Sequence, residues 1–222
     1  MIVVLDGPAG AGKSSVSKKL AKRLGVEFMD TGAMYRAFTW RAMQKKVDLL
    51  DVPALVRCVD EGRLFMTPER VTMDGIDVTT AIRTPEVTGN IFRLSDSGPV
   101  RERLNEQQRA LATALKSFVA EGRDLGTVVF PDADVKIYLD ASSDVRARRR
   151  LLELKKPESE LASIKKDIEE RDRKDMVRPV APLKRAEDAV HVDTSDLALD
   201  AVVERLEQIV RDGVAGRSGR HR

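Results

Sequence analysis

Short apolar runs alternate with longer amphipathic stretches along most of this 222-residue chain. Five of the runs are continuously apolar or nearly so, which is typical of strands that are buried on both faces of a parallel sheet. The amphipathic stretches between them predict helices that cover the two faces. The alternation therefore predicts an α/β fold with a doubly wound parallel sheet. The predicted strands are residues 2–5, 27–29, 118–121, 135–139 and 190–192.

One segment, residues 62–84, interrupts this alternation. It contains three β-prone runs joined by short turns, and the second of these turns is Asp74-Gly75. An Asp-Gly pair between two β-prone runs is a strong signal for a tight hairpin. The segment therefore predicts a small three-stranded antiparallel insertion.

A glycine-rich stretch follows the first predicted strand. Residues 7–14 read Gly-Pro-Ala-Gly-Ala-Gly-Lys-Ser, which is the spacing of a phosphate-binding loop, and an amphipathic helix follows at 15–24. Backbone N–H groups and the helix dipole favour phosphate here. We expect Lys13 to reach the outer phosphates from a solvent-facing position and Ser14 to ligate Mg²⁺. A chance glycine-rich turn is the weaker alternative, because a strand and a helix flank the loop. The predicted ATP-binding residues are Gly7, Pro8, Ala9, Gly10, Ala11, Gly12, Lys13, Ser14 and Ser15.

A second motif follows the second predicted strand. Residues 30–36 read Asp-Thr-Gly-Ala-Met-Tyr-Arg and open a helix that is predicted to run to about residue 46. Thr31 is the predicted cap of this helix, and its first amides favour an anion. Arg36 is suited to a forked contact with phosphate. On its own, the motif is also compatible with an ordinary helix start and a surface arginine.

Two more motifs make the pattern specific. Residues 121–133 read Glu-Gly-Arg-Asp-Leu-Gly-Thr-Val-Val-Phe-Pro-Asp-Ala. Residues 170–175 read Glu-Arg-Asp-Arg-Lys-Asp and are followed by Arg178 and by Val-Ala-Pro-Leu at 180–183. With these four motifs in this order, the chain resembles the bacterial cytidylate kinases, which are relatives of the adenylate kinases. The resemblance implies transfer of a phosphoryl group from ATP to CMP or dCMP, with Mg²⁺ as the cofactor.

The resemblance also implies roles for individual residues. Lys13, Arg123 and Arg146 are the catalytic residues that it implies, with Arg146 supplying charge at the transferring phosphate. Arg36, Arg123 and Arg178 hold the CMP phosphate. Asp124 and Arg101 read the cytosine base, and Asp175 contacts the ribose together with Arg171. The CMP-binding set is Thr31, Arg36, Arg101, Arg123, Asp124, Arg171, Asp175 and Arg178, and the metal ligand is Ser14.

Three assignments have local alternatives. Arg171 and Asp175 are four residues apart, so they are also compatible with an ordinary ion pair on an exposed helix face. Arg146 belongs to a row of arginines that is also compatible with a solvated helix face. Phe92 stands where the family often has a small hydroxyl residue that reads the base. Either Ser95 takes that role or the contact is absent.

The resemblance implies one P-loop kinase domain over residues 1–212. Its core is expected at about 1–35, 110–145 and 180–212, with a monophosphate-binding region at about 36–109 that contains the β insertion and a helical lid at about 146–179. Residues 213–222 are rich in Gly and Arg, and we expect them to form a disordered tail.

Composition narrows the class of protein. A hydrophobic fraction of 42% supports a real core, and a charged fraction of 34% with a net charge of +3 suits a cytoplasmic enzyme. Cys58 is the single cysteine, which excludes an internal disulfide, fits a reducing compartment and is expected in the core. No apolar run reaches membrane length, and Asp6 ends the first run too early for a signal peptide. We expect a cytoplasmic monomer that acts on small molecules, without nucleic acid or membrane partners.

Other functions fit the sequence less well. A different small-molecule kinase or a broader pyrimidine monophosphate kinase would share the phosphate loop. A nucleotide-switched regulator of the GTPase type would need an Asn-Lys-x-Asp motif, which does not occur in the chain. An RNA-binding module would need stacking aromatics, whereas aromatic residues make up only 4% of the chain.

Overall fold

The computed structural model describes residues 1–218, with side chains described to residue 216. The chain divides into two compact units. The first consists of Met1–Glu27 and Lys116–Arg222, and the second is Phe28–Leu115. The expected monophosphate-binding region, 36–109, lies inside the second unit, and the expected lid belongs to the first. The finer division of the first unit into core and lid stays a prediction.

Eight strands are present in the described part of the chain. The strands are β1 (Ile2–Asp6), β2 (Glu27–Asp30), β3 (Leu64–Met66), β4 (Val71–Met73), β5 (Ile76–Asp77), β6 (Phe118–Glu121), β7 (Val135–Asp140) and β8 (Val190–Asp193). The helices are α1 (Lys13–Leu24), α2 (Thr31–Gln44), α3 (Val52–Asp60), α4 (Pro85–Asn90), α5 (Phe92–Ser95), α6 (Gly98–Leu115), α7 (Ser143–Glu153), α8 (Leu161–Val177) and α9 (Leu199–Ser218). Short 3₁₀ turns lie at Ala81–Arg83 and Glu158–Glu160, and one π-helical turn lies at Leu125–Val129.

The main sheet has the order β2-β6-β1-β7-β8. β1 pairs in parallel with β6 on one side and β7 on the other, and β7 pairs in parallel with β8. Glu27 begins β2, and its N–H donates to the carbonyl of Ser117 beside β6. Val3, Val4 and Leu5 are fully buried in the central strand, as a continuous apolar run predicts. All five predicted strands and the parallel α/β class are confirmed.

The second unit contains the predicted insertion. β3, β4 and β5 form a three-stranded antiparallel sheet. Asp74 and Gly75 both have positive φ, 52° and 82°, which the tight hairpin between β4 and β5 requires. Met73 is fully buried and joins a core with Phe38 and Leu55, so the small sheet packs on the helices of its own unit.

The expectation of a disordered tail from residue 213 is wrong for residues 213–218, because α9 continues to Ser218. Val203, Leu206 and Val210 lie on its buried face. A Cβ on Gly213 would lie 2.9 Å from a methyl carbon of Val135, so this glycine permits close packing. Residues 219–222 of the expected tail lie outside the described residues. Within residues 1–218, no helix is both long enough and apolar enough to cross a membrane.

Candidate active site

The phosphate loop connects β1 to α1. Gly10 and Gly12 have φ values of 74° and 87°, a left-handed conformation that favours glycine. A Cβ on Gly7 would lie 2.0 Å from the carbonyl oxygen of Leu139, so a side chain there would force the loop away from β7. The glycines therefore shape a loop that continues into the N-terminus of α1 at Lys13, with Ser14 and Ser15 exposed in its first turn.

The expectation that Lys13 faces solvent is wrong. Its side chain is buried, and Nζ donates to the carbonyl oxygens of Gly7 and Pro8 at 2.8 and 2.7 Å. The ammonium group folds back onto its own loop because the glycine-rich backbone turns these carbonyls towards it. Burial, with a smaller contribution from the nearby Arg123 charge, holds the pKa of Lys13 well below its usual value.

Asp6 is a buried carboxylate that the sequence motifs do not assign. It ends β1 directly before the loop and accepts hydrogen bonds from the N–H groups of Leu125 and Gly126 at 3.0 and 2.8 Å. Burial raises the pKa of Asp6 from 3.8 to about 6, although these two donors and Lys13 act in the opposite direction. These hydrogen bonds connect the end of β1, directly before the phosphate loop, to the turn in the third motif.

Asp6 should make the stability of the protein depend on pH. Its pKa is higher in the folded state than in the unfolded state, so the folded state binds more protons between about pH 4 and pH 6. The stabilisation is therefore fully present below about pH 4 and is lost as the pH rises through about 6. A shift of about 2 units corresponds to about 3 kcal/mol of unfolding free energy. The free energy of unfolding of the wild type and of Asp6→Asn is measured by urea unfolding across this pH range. If the two free energies depend on pH in the same way, the predicted contribution of Asp6 is contradicted.

Four predicted CMP-binding residues lie together in the first unit. Arg123 Nε donates to Asp175 Oδ2 at 3.1 Å, and Arg178 Nη2 donates to Asp124 Oδ1 at 3.1 Å. Arg178 Nη1 also lies 3.9 Å from Asp175 Oδ1, so the four charges form one connected network. All four side chains are mostly buried, with at most 20% exposure. Asp175 therefore lies in a mostly buried network with Arg123 and Arg178, not on an exposed helix face.

The end of α8 positions two members of this network. Asp175 lies in its last turn, and Arg178 is the residue after the helix, with an extended backbone, because Pro179 follows it. Arg178 Nε donates to the carbonyl of Ala181, which fixes its guanidinium group. Arg171, one turn before Asp175, is exposed.

Arg146 of α7 is not part of a solvated face. It is 7% exposed, and its Nε and Nη1 donate to the carbonyls of Ala141 and Ala9 at 2.9 and 2.7 Å. Nη1 also donates to Asp172 Oδ2 at 2.5 Å. Arg149, also on α7, donates to the carbonyl of Thr194 at 2.7 Å. Arg146 therefore contacts the phosphate loop directly through Ala9.

In the second unit, the predicted cap of α2 is displaced by one residue. Asp30, not Thr31, is the cap, since Asp30 Oδ1 accepts from the N–H of Ala33 at 2.7 Å. Thr31 is the buried first residue of the helix. Arg36 Nη2 donates to Asp30 Oδ2 at 3.3 Å, so the motif brings its arginine back to the helix N-terminus.

Arg101 is buried in α6 of the same unit. Its Nη1 donates to the carbonyl of Ser95 at 3.1 Å, and its guanidinium carbon lies 5.4 Å from the ring centre of Tyr35. Phe92 is 40% exposed and stacks under the guanidinium group of Arg93. Ser95 thus contacts the predicted base-reading arginine through its backbone. Cys58 is buried in the core, as expected.

A parallel sheet whose first strand leads through such a loop into a helix that begins at Lys13 is the arrangement of the P-loop nucleotide-binding proteins. A family model described as cytidylate kinase matches residues 3–212. The cytidylate kinase of Rhodopirellula baltica is 45% identical over 217 residues, which are 96% of this chain and 94% of that protein. The chain belongs to the cytidylate kinase family.

Two further comparisons concern a longer relative and a solved structure with a similar fold. The bifunctional pantoate ligase/cytidylate kinase of Prochlorococcus marinus is 45% identical over 218 residues, which are 95% of this chain but 44% of that longer protein. The shikimate kinase of Bacteroides thetaiotaomicron has a similar fold, with a TM-score of 0.52 at 14% identity over 95% of this chain and 98% of that one. The first comparison supports the family, and the second supports the P-loop kinase fold alone.

Proposed function

We propose that the chain catalyses its family's reaction with the residues that the motifs assign. The reaction is transfer of the γ-phosphoryl group of ATP to CMP or dCMP, which gives ADP and CDP or dCDP. The acceptor oxygen is already anionic near neutral pH, so the protein has to align the two substrates and neutralise charge. The observation that carries the proposal is the buried network of Arg123, Asp124, Asp175 and Arg178, which the third and fourth motifs build together.

The donor end is assigned to the phosphate loop. Its backbone amides and the N-terminus of α1 favour the ATP phosphates. Lys13 Nζ is held at the loop by the carbonyl oxygens of Gly7 and Pro8, and it would exchange these contacts for a phosphate oxygen when ATP binds. Arg146 supports the same loop through Ala9.

The proposal includes Mg²⁺ as the cofactor. Residues 1–218 contain no cluster of three or more His, Cys, Asp or Glu side chains that could hold a metal ion by themselves. A magnesium ion that accompanies ATP needs only hard oxygen ligands and keeps several waters. The exposed hydroxyl of Ser14 in the first turn of α1 fits this need and would hold the ion, which neutralises phosphate charge when bound.

Residues are assigned to the acceptor, CMP, by their charge and their hydrogen-bonding groups. In the first unit, Arg123 and Arg178 are the cations for the CMP phosphate, and Asp124 is an acceptor for the amino group of cytosine. In the second unit, the residues assigned to CMP are Thr31, Arg36 and Arg101. A carboxylate accepts from the cytosine amino group and repels the carbonyl that replaces it in uracil, so Asp124 favours CMP over UMP.

The ribose assignment predicts a difference between CMP and dCMP. Asp175→Ala is expected to lower kcat/KM for CMP more than for dCMP, because only CMP has the 2′-hydroxyl that the carboxylate accepts from. The additional loss for CMP should be about tenfold or more, as for a charge-assisted hydrogen bond of about 1–3 kcal/mol. Because Asp175 also holds Arg123, both substrates should lose some activity.

The measurement compares kcat/KM for the two acceptors with this one variant. Asp167→Asn is the matched control, because Asp167 is an exposed acidic residue of the same helix. Equal losses for CMP and dCMP would reject the ribose role of Asp175 and leave it only the role of holding Arg123.

The proposal also covers location and assembly. The single, buried cysteine suits a reducing compartment, and we propose a cytoplasmic enzyme. A monomer is proposed on the resemblance alone. Light scattering after gel filtration tests it, with a mass of 24.7 kDa expected for the monomer.

A further inference from the structure

Asp172 is a buried carboxylate that none of the motif assignments uses. It lies on α8 and is 5% exposed. Its Oδ1 accepts from the backbone N–H of Ala9, in the phosphate loop, at 2.8 Å. Its Oδ2 accepts from Nη1 of Arg146 at 2.5 Å. One carboxylate thus contacts both the donor loop and a predicted catalytic arginine.

The three groups form a closed arrangement. Arg146 Nη1, which donates to Asp172, also donates to the carbonyl oxygen of Ala9. Ala9 is therefore held on both of its backbone polar groups, at the N–H by Asp172 and at the carbonyl by Arg146. Nε of Arg146 is fixed in turn by the carbonyl of Ala141 at the end of β7. A rotation of the Arg146 side chain would break contacts to three separate segments.

Packing around the arrangement restricts it further. A Cβ on Gly10 would lie 3.1 Å from Cβ of Arg146, so the loop approaches α7 closely at the residue after Ala9. Ala9, Ala147 and Ile168 belong to one buried apolar cluster beside it. In such surroundings an arginine without its carboxylate would be an uncompensated buried charge, which would favour a different side-chain position.

Two carboxylates three residues apart on α8 contact two different arginines. Asp172 holds Arg146, and Asp175 holds Arg123. Both arginines are assigned to the charge of the reacting phosphates, so α8 carries the partner of each. The motifs assign Asp175 to the ribose, and they give Asp172 no role.

We propose that Asp172 is a positioning residue for phosphoryl transfer: it aims Arg146 and fixes the Ala9 peptide of the phosphate loop. This inference rests on the proposed function. Asp172 does not touch the substrates, and it acts through Arg146. Its loss therefore affects the turnover number, which reports charge stabilisation of the transferring group, more than the KM for CMP.

The test uses Asp172→Asn, which keeps the shape and an acceptor for Ala9 but removes the charge. We expect kcat to fall by about tenfold or more, with the KM for CMP changed by less than about twofold. Asp167→Asn, an exposed change on the same helix, should leave both parameters unchanged. Thermal unfolding of each variant shows that the assays are made on folded protein.

A second comparison tests whether Asp172 acts through Arg146. Arg146→Lys is made alone and together with Asp172→Asn. If Asp172 only positions Arg146, the double variant should turn over no more slowly than Arg146→Lys within about twofold, because coupled residues are not additive. If the two losses in kcat multiply, Asp172 does not act through Arg146 and the inference is overturned.

The remaining outcomes are also decisive. A folded Asp172→Asn with normal kcat and only a lower melting temperature shows a structural ion pair and overturns the inference. If this variant does not fold, Asp172→Glu keeps the charge and displaces it, and the same fall in kcat at constant KM for CMP is expected. An Asp172→Glu variant with normal kcat contradicts the inference. A wild type that shows no turnover of ATP with CMP rejects the proposed function itself, and the inference with it.

Discussion

Lys13→Ala is expected to lower the turnover number by about a hundredfold or more, in the range observed when a group that stabilises transition-state charge is removed. The variant removes the loop's cation and leaves its backbone cradle intact. Loss of the Lys13 ammonium group deletes two hydrogen bonds to Gly7 and Pro8, but it also removes the cost of burying a charge. These effects oppose each other, so the free energy of unfolding should change by no more than about 2 kcal/mol.

The measurement is kcat with saturating ATP and CMP, together with urea unfolding of the same preparation. Lys22→Ala is the matched control, because Lys22 is an exposed lysine of the same helix and should leave kcat unchanged. A Lys13→Ala enzyme with near-normal turnover would reject the assignment of Lys13 to the donor phosphates.

Asp124→Asn is expected to reduce the preference for CMP over UMP by about tenfold to a hundredfold. The carboxylate only accepts hydrogen bonds, whereas an amide can turn its donor towards the carbonyl of uracil. The change in preference corresponds to about 1–3 kcal/mol for a buried hydrogen bond. The structure adds that Asp124 holds Arg178, so activity with both acceptors should also fall.

The ratio of kcat/KM for the two acceptors separates these two effects. If activity falls while the ratio stays constant, Asp124 serves only to hold Arg178 and does not read the base. Asp132→Asn changes an exposed carboxylate of the same motif and should leave the ratio and the activity unchanged.

Local pattern was sufficient for most of the fold. The five core strands are short apolar runs, and the Asp74-Gly75 hairpin has the backbone conformation that its residue types favour. Local pattern could not choose between Asp30 and Thr31 as the cap of α2, because both are good capping residues and they are adjacent. The local pattern also gave the wrong expectation that a disordered tail begins at Gly213. The contact that requires a glycine there is with Val135, which is far away in the chain.

The candidate site shows the same division. The motifs identify the loop and the arginines, but they do not show which carboxylate holds which arginine. Asp172 contacts Ala9 across 163 residues, and Asp6 contacts Leu125 across 119 residues. The burial of Lys13 was also missed, because it depends on how the loop carbonyls turn. A sequence signal for Asp172 existed, since it lies in the fourth motif three residues before Asp175.

The most direct test of the central claim is ADP release from ATP, measured with CMP, dCMP, UMP and AMP as acceptors. The claim predicts Mg²⁺-dependent turnover with CMP and dCMP, weaker turnover with UMP and little with AMP. Comparable rates with CMP and UMP would indicate a broader pyrimidine monophosphate kinase. Absence of ADP release with CMP and dCMP, or a preference for AMP, would contradict the account.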